Sequence, residues 1–144
     1  MFTDQVRVIY ALVCLIFLAD ICKSYQNLAD GTRKYDYITV NPKCDIALDG
    51  WYRFQGAART KMVTTCPPDN RCDANFPVWL SGDHPTVAEG TVQRKVCIHR
   101  DEDCCHSWLF IKVKTCSSYY IYHTGKINQF STLNFFVVTQ WILK

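Results

Sequence analysis

Two cysteines stand side by side in "HRDEDCCHSW", at Cys104 and Cys105. They belong to a set of eight that follows an apolar leader: Cys22, Cys44, Cys66, Cys72, Cys97, Cys104, Cys105 and Cys116. No other feature restricts the fold so strongly. The planar trans peptide between adjacent cysteines holds their sulfurs badly for a bond to each other. On a strand the two side chains point to opposite faces. The doublet therefore grips two separate partners, binds a metal or carries redox chemistry. Compartment decides among these.

The chain opens "MFTDQVRVIYALVCLIFLADICKSY". Arg7 gives a weakly positive start, Val8 to Ala19 is apolar without a charge, and Asp20 ends the run. This fits the apolar centre of a secretory signal peptide, residues 1–19. It is short for a membrane span, which needs about 20 apolar residues. The mature chain then contains no membrane span. It enters an oxidising compartment where disulfides persist, and Cys14 leaves with the leader.

An even number of cysteines suits a disulfide framework, although spacing alone permits roughly a hundred complete pairings. The length suits one domain large enough for a core, so bridges supplement packing. Net charge is +3 with acids and bases interspersed. Without a basic run, nucleic-acid binding is excluded as a leading reading.

After the leader the chain reads as mainly β. The expected architecture is a small disulfide-rich extracellular domain of short antiparallel strands and long loops, with little helix. "GWYRFQG" alternates rings with polar residues between glycines. "KMVTTC" reads as a second strand. "TVQRKVC", "WLFIKVKTC" and "YYIYH" alternate and are rich in β-branched and aromatic residues. Residues 22–43 read as loop-rich, with a turn at "ADGTR". "CPPDNRC" is a tight proline-bearing loop, and "FPVWLSGDHPTVAEG" reads as an ordered loop punctuated by Pro77, Gly82, Pro85 and Gly90.

Several motifs occur in order: Gly-Trp-Tyr-Arg-Phe at residue 50, "WLSGDHP" at residue 79, the Cys104–Cys105 doublet, and Lys114-Thr-Cys116 before tyrosines. On these, residues 22–123 closely resemble the uromodulin-type eight-cysteine domain. The resemblance implies bridges Cys66–Cys104, Cys97–Cys105 and Cys22–Cys116. It sets the domain at residues 20–123 and leaves 124–144 as a divergent tail. Relatives carry two further cysteines after the tyrosine strand, paired with the positions of Cys44 and Cys72. Here "TGKINQFSTLNFFVVTQWILK" has none. Cys44 and Cys72 then bond each other, stay free, or link two chains in a disulfide-linked dimer. The apolar, β-prone tail fits a truncated or alternatively spliced product or a gene-model error. Some relatives also carry an N-glycosylation signal in the Trp-Leu-x-Gly-x-His-Pro loop, where a glycan acts as a decoy for bacterial lectins. Ser81 occupies that place here, and no asparagine of the chain begins an Asn-x-Ser/Thr signal.

The remaining chemistry is sparse. His84 beside Asp83 invites a catalytic reading, but no free nucleophile lies near, so a hydrogen-bonded loop residue is the better account. Cys105-His106 needs a free thiolate to act, and the resemblance places Cys105 in a bridge. No pair of cysteines has the Cys-x₂₋₄-Cys spacing of a structural zinc site. Asp101 to Asp103 lacks an ordered calcium loop and reads as a solvated turn. No metal or cofactor is expected, and no catalytic residue. The aromatics Trp51, Tyr52, Phe54, Trp79, Trp108, Tyr119, Tyr120 and Tyr122 suit either a carbohydrate platform or core and cross-strand packing, and packing is the better account for most of them. Trp79 and His84, in the loop, are the candidate ligand contacts.

The expected function is a secreted, non-enzymatic extracellular binding or adhesion module whose partner is a protein or a glycan. The alternative is a stand-alone secreted defence or toxin-like protein.

Overall fold

The computed structural model describes residues 5, 20–38, 40, 45, 48–58, 60–68 and 76–125. Apart from residue 5, the leader through residue 19 lies outside the described residues, as do Cys44, Cys72 and the tail from residue 126. Among the described residues, six strands form one sheet: β1 (Gln26–Leu28), β2 (Gly50–Phe54), β3 (Val78–Leu80), β4 (Thr91–Arg100), β5 (Asp103–Cys116) and β6 (Tyr119–Thr124). Their spatial order is β1-β2-β6-β5-β4-β3. The architecture is the mainly β, disulfide-bridged one expected. Helix among the described strands and loops is limited to three-residue 3₁₀ turns at Ile21–Lys23, Gly31–Arg33 and Gly56–Ala58.

The β4–β5 hairpin is the spine. It turns through Asp101 and Glu102, both at positive φ (50° and 64°), as a two-residue hairpin loop requires. A register shift between Ile98 and Arg100 marks a bulge next to the turn. Alternation along β5 then divides the residues by face. Ile111 and Val113 are buried with Leu109 half-buried, while Trp108, Phe110 and Lys112 on the opposite parity are exposed.

The inner face gathers Phe54, Val78, Leu80, Val96, Ile98, Ile111, Val113 and Tyr122 with Ala58 and Met62 from the connecting segment. Burying each large apolar side chain contributes about 1.5–3 kcal/mol. Tyr122 also carries a polar tip into this core, where its hydroxyl accepts the Met62 backbone N–H at 3.1 Å.

Three local expectations are corrected. "KMVTTC" forms no strand: Met62 makes an isolated bridge, and the segment is held by the Tyr122 hydroxyl and by the Leu80 N–H donating to the Val63 carbonyl. The "FPVWLSGDHP" stretch is not loop throughout, because Val78–Leu80 adds to β4 as an edge strand. The pairing is not all antiparallel, since β1 runs parallel to β2.

Candidate binding surface

Among the described residues, three disulfides brace the sheet. Cys22 is joined to Cys116, Cys66 to Cys104 and Cys97 to Cys105. The doublet thus sends its two sulfurs to different segments, the loop beginning at Cys66 and the neighbouring strand β4. The Cys22–Cys116 bridge brings the N-terminal segment to the end of β5. There the Tyr119 hydroxyl donates to the Cys22 carbonyl, and the Arg53 guanidinium lies 3.8 Å from the Tyr119 ring centroid.

Cys66, His99 and Cys104 bring one ligand-type atom each to within 4.8 Å of one another. The two sulfurs are bonded to each other, so neither is the thiolate a metal would need. His99 is buried, and its Nδ1 lies 2.7 Å from the Pro67 carbonyl oxygen. A carbonyl only accepts, so Nδ1 holds the proton. Sequence spacing gives no hint of this cluster, because the hairpin and the bridge assemble it.

His84 is pinned to the inner face. Gly82 precedes it at φ 125°, a conformation that side chains rarely adopt. Arg94 Nε donates to the Asp83 carbonyl at 3.1 Å, and Arg94 also pairs with Glu89 at 2.7 Å. The imidazole stacks on Tyr120, with centroids 4.3 Å apart, and its Nε2 lies 2.8 Å from the Tyr122 hydroxyl. Burial, then the nearby Lys61 charge, lowers the His84 pKa from 6.5 to about 4, with Asp83 opposing the shift. At neutral pH the ring is uncharged and accepts the Tyr122 proton, which burial makes hard to remove altogether.

A pH dependence follows. The unfolded histidine binds a proton more readily than the folded one, so folding is favoured fully above pH 6.5. That advantage is lost progressively as pH falls from 6.5 to about 4. The melting temperature should therefore drop through this window by more in the natural chain than in His84→Asn. Thermal melts across the range check this, and parallel curves for the two proteins would contradict it.

Trp79 lies on the opposite face from His84, packed on Val63. Its indole N–H donates to the Cys104 carbonyl at 2.7 Å. The two candidate ligand residues therefore do not converge on one site. Among the described residues, two well-exposed rings share the outer face of the sheet with Trp79, further along β5. Trp108 and Phe110 are 56% and 57% exposed, with ring centroids 5.5 Å apart and planes at 72°. The Lys95 ammonium lies 5.3 Å from the Trp108 ring centroid. Register places Lys95 opposite Phe110, Gln93 opposite Lys112, and Thr91 opposite Lys114. Of these two rings only Trp108 is among those expected in packing; the parity both share with Lys112 and Lys114 is the signal that separates them from the core.

Known proteins resemble this chain over most of its length. A family model for the uromodulin-like domain matches residues 52–135. Mouse uromodulin is 41% identical over 113 residues, covering 78% of this chain and 17% of that protein. The dog pancreatic secretory granule membrane major glycoprotein is 39% identical over 97 residues, 67% of this chain and 19% of that protein. The chain matches about a fifth of the length of these relatives.

Proposed function

This chain belongs to the uromodulin-like domain family, an extracellular module, and from that premise we propose that it is a secreted, non-enzymatic binding module. It recognises an extracellular protein or glycan with its own side chains. Residues 1–19 direct its export, residues 20–123 form the binding domain, and residues 124–144 are a divergent tail. Cys44 and Cys72 pair with each other, stay free or link two copies. The absence of any Asn-x-Ser/Thr signal argues against a role as a carrier of a decoy glycan.

The observation that carries this reading is the exposed Trp108–Phe110 pair on a disulfide-braced strand. Large exposed rings on a rigid element are what binding surfaces use. His84 and His99, by contrast, are engaged in holding the fold together.

The test is to secrete the full chain from cultured cells and probe arrays of glycans and cell-surface ectodomains. A growth-inhibition assay on bacteria runs beside them. The expected result is protein in the medium beginning near Asp20 that binds one class saturably, and does so equally after treatment with an N-glycosidase. Growth inhibition without any binding would overturn the reading in favour of a stand-alone defence protein. Silence in both assays would overturn it outright.

A further inference from the structure

We propose that the outer face of the sheet binds an acidic oligosaccharide, one carrying carboxylate or sulfate groups, across Trp108 and Phe110 with Lys95, Lys112 and Lys114 as counter-charges. This rests on the binding-module reading and names its ligand.

The charge of the face points to an anion. Along β4 from Thr91 to Cys97 and along β5 from Trp108 to Lys114, the residues of this face include three lysines and no carboxylate. Asp101, Glu102 and Asp103 sit beyond them, at the tip of the hairpin. A second copy facing this surface would set lysine against lysine, so the face does not complement itself.

The rings point to a sugar. Trp108 and Phe110 meet edge to face, which makes a corner: a sugar ring stacks on one and is walled by the other. Lys95 beside the Trp108 ring then meets an acidic substituent of the stacked sugar.

Size points the same way. Both ends of the face are covered, one by Trp79 with Val63 and the Cys66–Cys104 loop, the other by Tyr25, Arg53 and Tyr119. The exposed side chains run from Trp108 to Lys112, ~14 Å along β5, with Lys95 half-buried beside them on β4 and Lys114 half-buried next to the fully buried Ile121 of β6. That is a few hundred Å² at most, against about 800 Å² per partner in a stable protein complex. A short oligosaccharide fits the strip, whereas a globular partner would have to reach beyond it.

The test measures binding of the full secreted chain to three size-matched probes: a heparin-derived sulfated oligosaccharide, a sialylated oligosaccharide and a neutral one. The variants are Trp108→Ala and the double change Lys112→Glu/Lys114→Glu. Thermal melts check that each variant folds, and Trp108→Phe serves as the conservative rescue. Binding to at least one acidic probe is expected, weakened by added salt and weakened about tenfold or more by either variant. The sulfated and sialylated arms tell which acid is read. Equal binding of the neutral probe, or acidic-probe binding unchanged in folded variants, would overturn the proposal. So would saturable binding of protein ectodomains alone, and that result would leave the binding-module reading standing. Silence toward every glycan and ectodomain would bring down both.

Discussion

Replacing Cys22 and Cys116 together with serine should destabilise the domain by about 4.7 kcal/mol, the chain-entropy value for a loop of this length. The bridge spans 94 residues, so its loss frees nearly the whole domain in the unfolded state. The shorter bridges should matter less in order of span. Cys66–Cys104 closes 38 residues and Cys97–Cys105 closes 8, for about 3.9 and about 2.5 kcal/mol on the same model. A small domain has about 5–15 kcal/mol in total, so the first double change should leave it near the edge of folding. Urea titrations of the three double-serine variants check the ranking. If the variant lacking the 8-residue loop were the least stable, loop entropy would not be what these bridges contribute.

Asp45→Ala should cost about 3–5 kcal/mol, the usual loss when one partner of a buried ion pair is removed. Arg33 donates to both carboxylate oxygens of Asp45, at 2.7 and 2.6 Å. The two side chains are 9% and 5% exposed. Alanine leaves the guanidinium charge in a site that water does not reach. Replacing both partners, as in Arg33→Met/Asp45→Leu, removes the charge along with its partner and should recover much of the loss. Denaturant midpoints of the single and double variants measure this. A single variant within about 1 kcal/mol of the natural chain would mean that the pair is not closed off from solvent.

The long strands were legible in the sequence because one parity is aliphatic over many residues. Leu109, Ile111 and Val113 share a side of β5, and Val96 and Ile98 share one of β4. The short ones were not. β1 and β3 hold three residues each, too few for a period to emerge, and β3 sits between Pro77 and Gly82. Each is a strand only because a neighbour offers a free edge. "KMVTTC" fails for the opposite reason: Met62 is buried as a strand residue would be, but its N–H goes to a tyrosine hydroxyl.

The candidate surface was only half legible. Trp108, Phe110, Lys112 and Lys114 share one parity, which marks a face unlike the aliphatic one. Whether that face is open depends on where the N-terminal segment and the Cys66 loop lie, and both are placed by disulfides from distant cysteines. His84 misled in the other direction. A histidine in a Gly-Asp-His-Pro loop suggests an exposed contact, yet its ring completes the core through Tyr120 and Tyr122.

The fold depends on a cysteine doublet that ties one strand to two places in an oxidising compartment. The most direct measurement is a disulfide map of the protein secreted from cells, digested without reduction and fragmented between Cys104 and Cys105 in the mass spectrometer. The expected peptides link Cys22 to Cys116, Cys66 to Cys104 and Cys97 to Cys105, and the same map reads the state of Cys44 and Cys72. A direct Cys104–Cys105 bond, or free thiols at these six positions, would contradict the account.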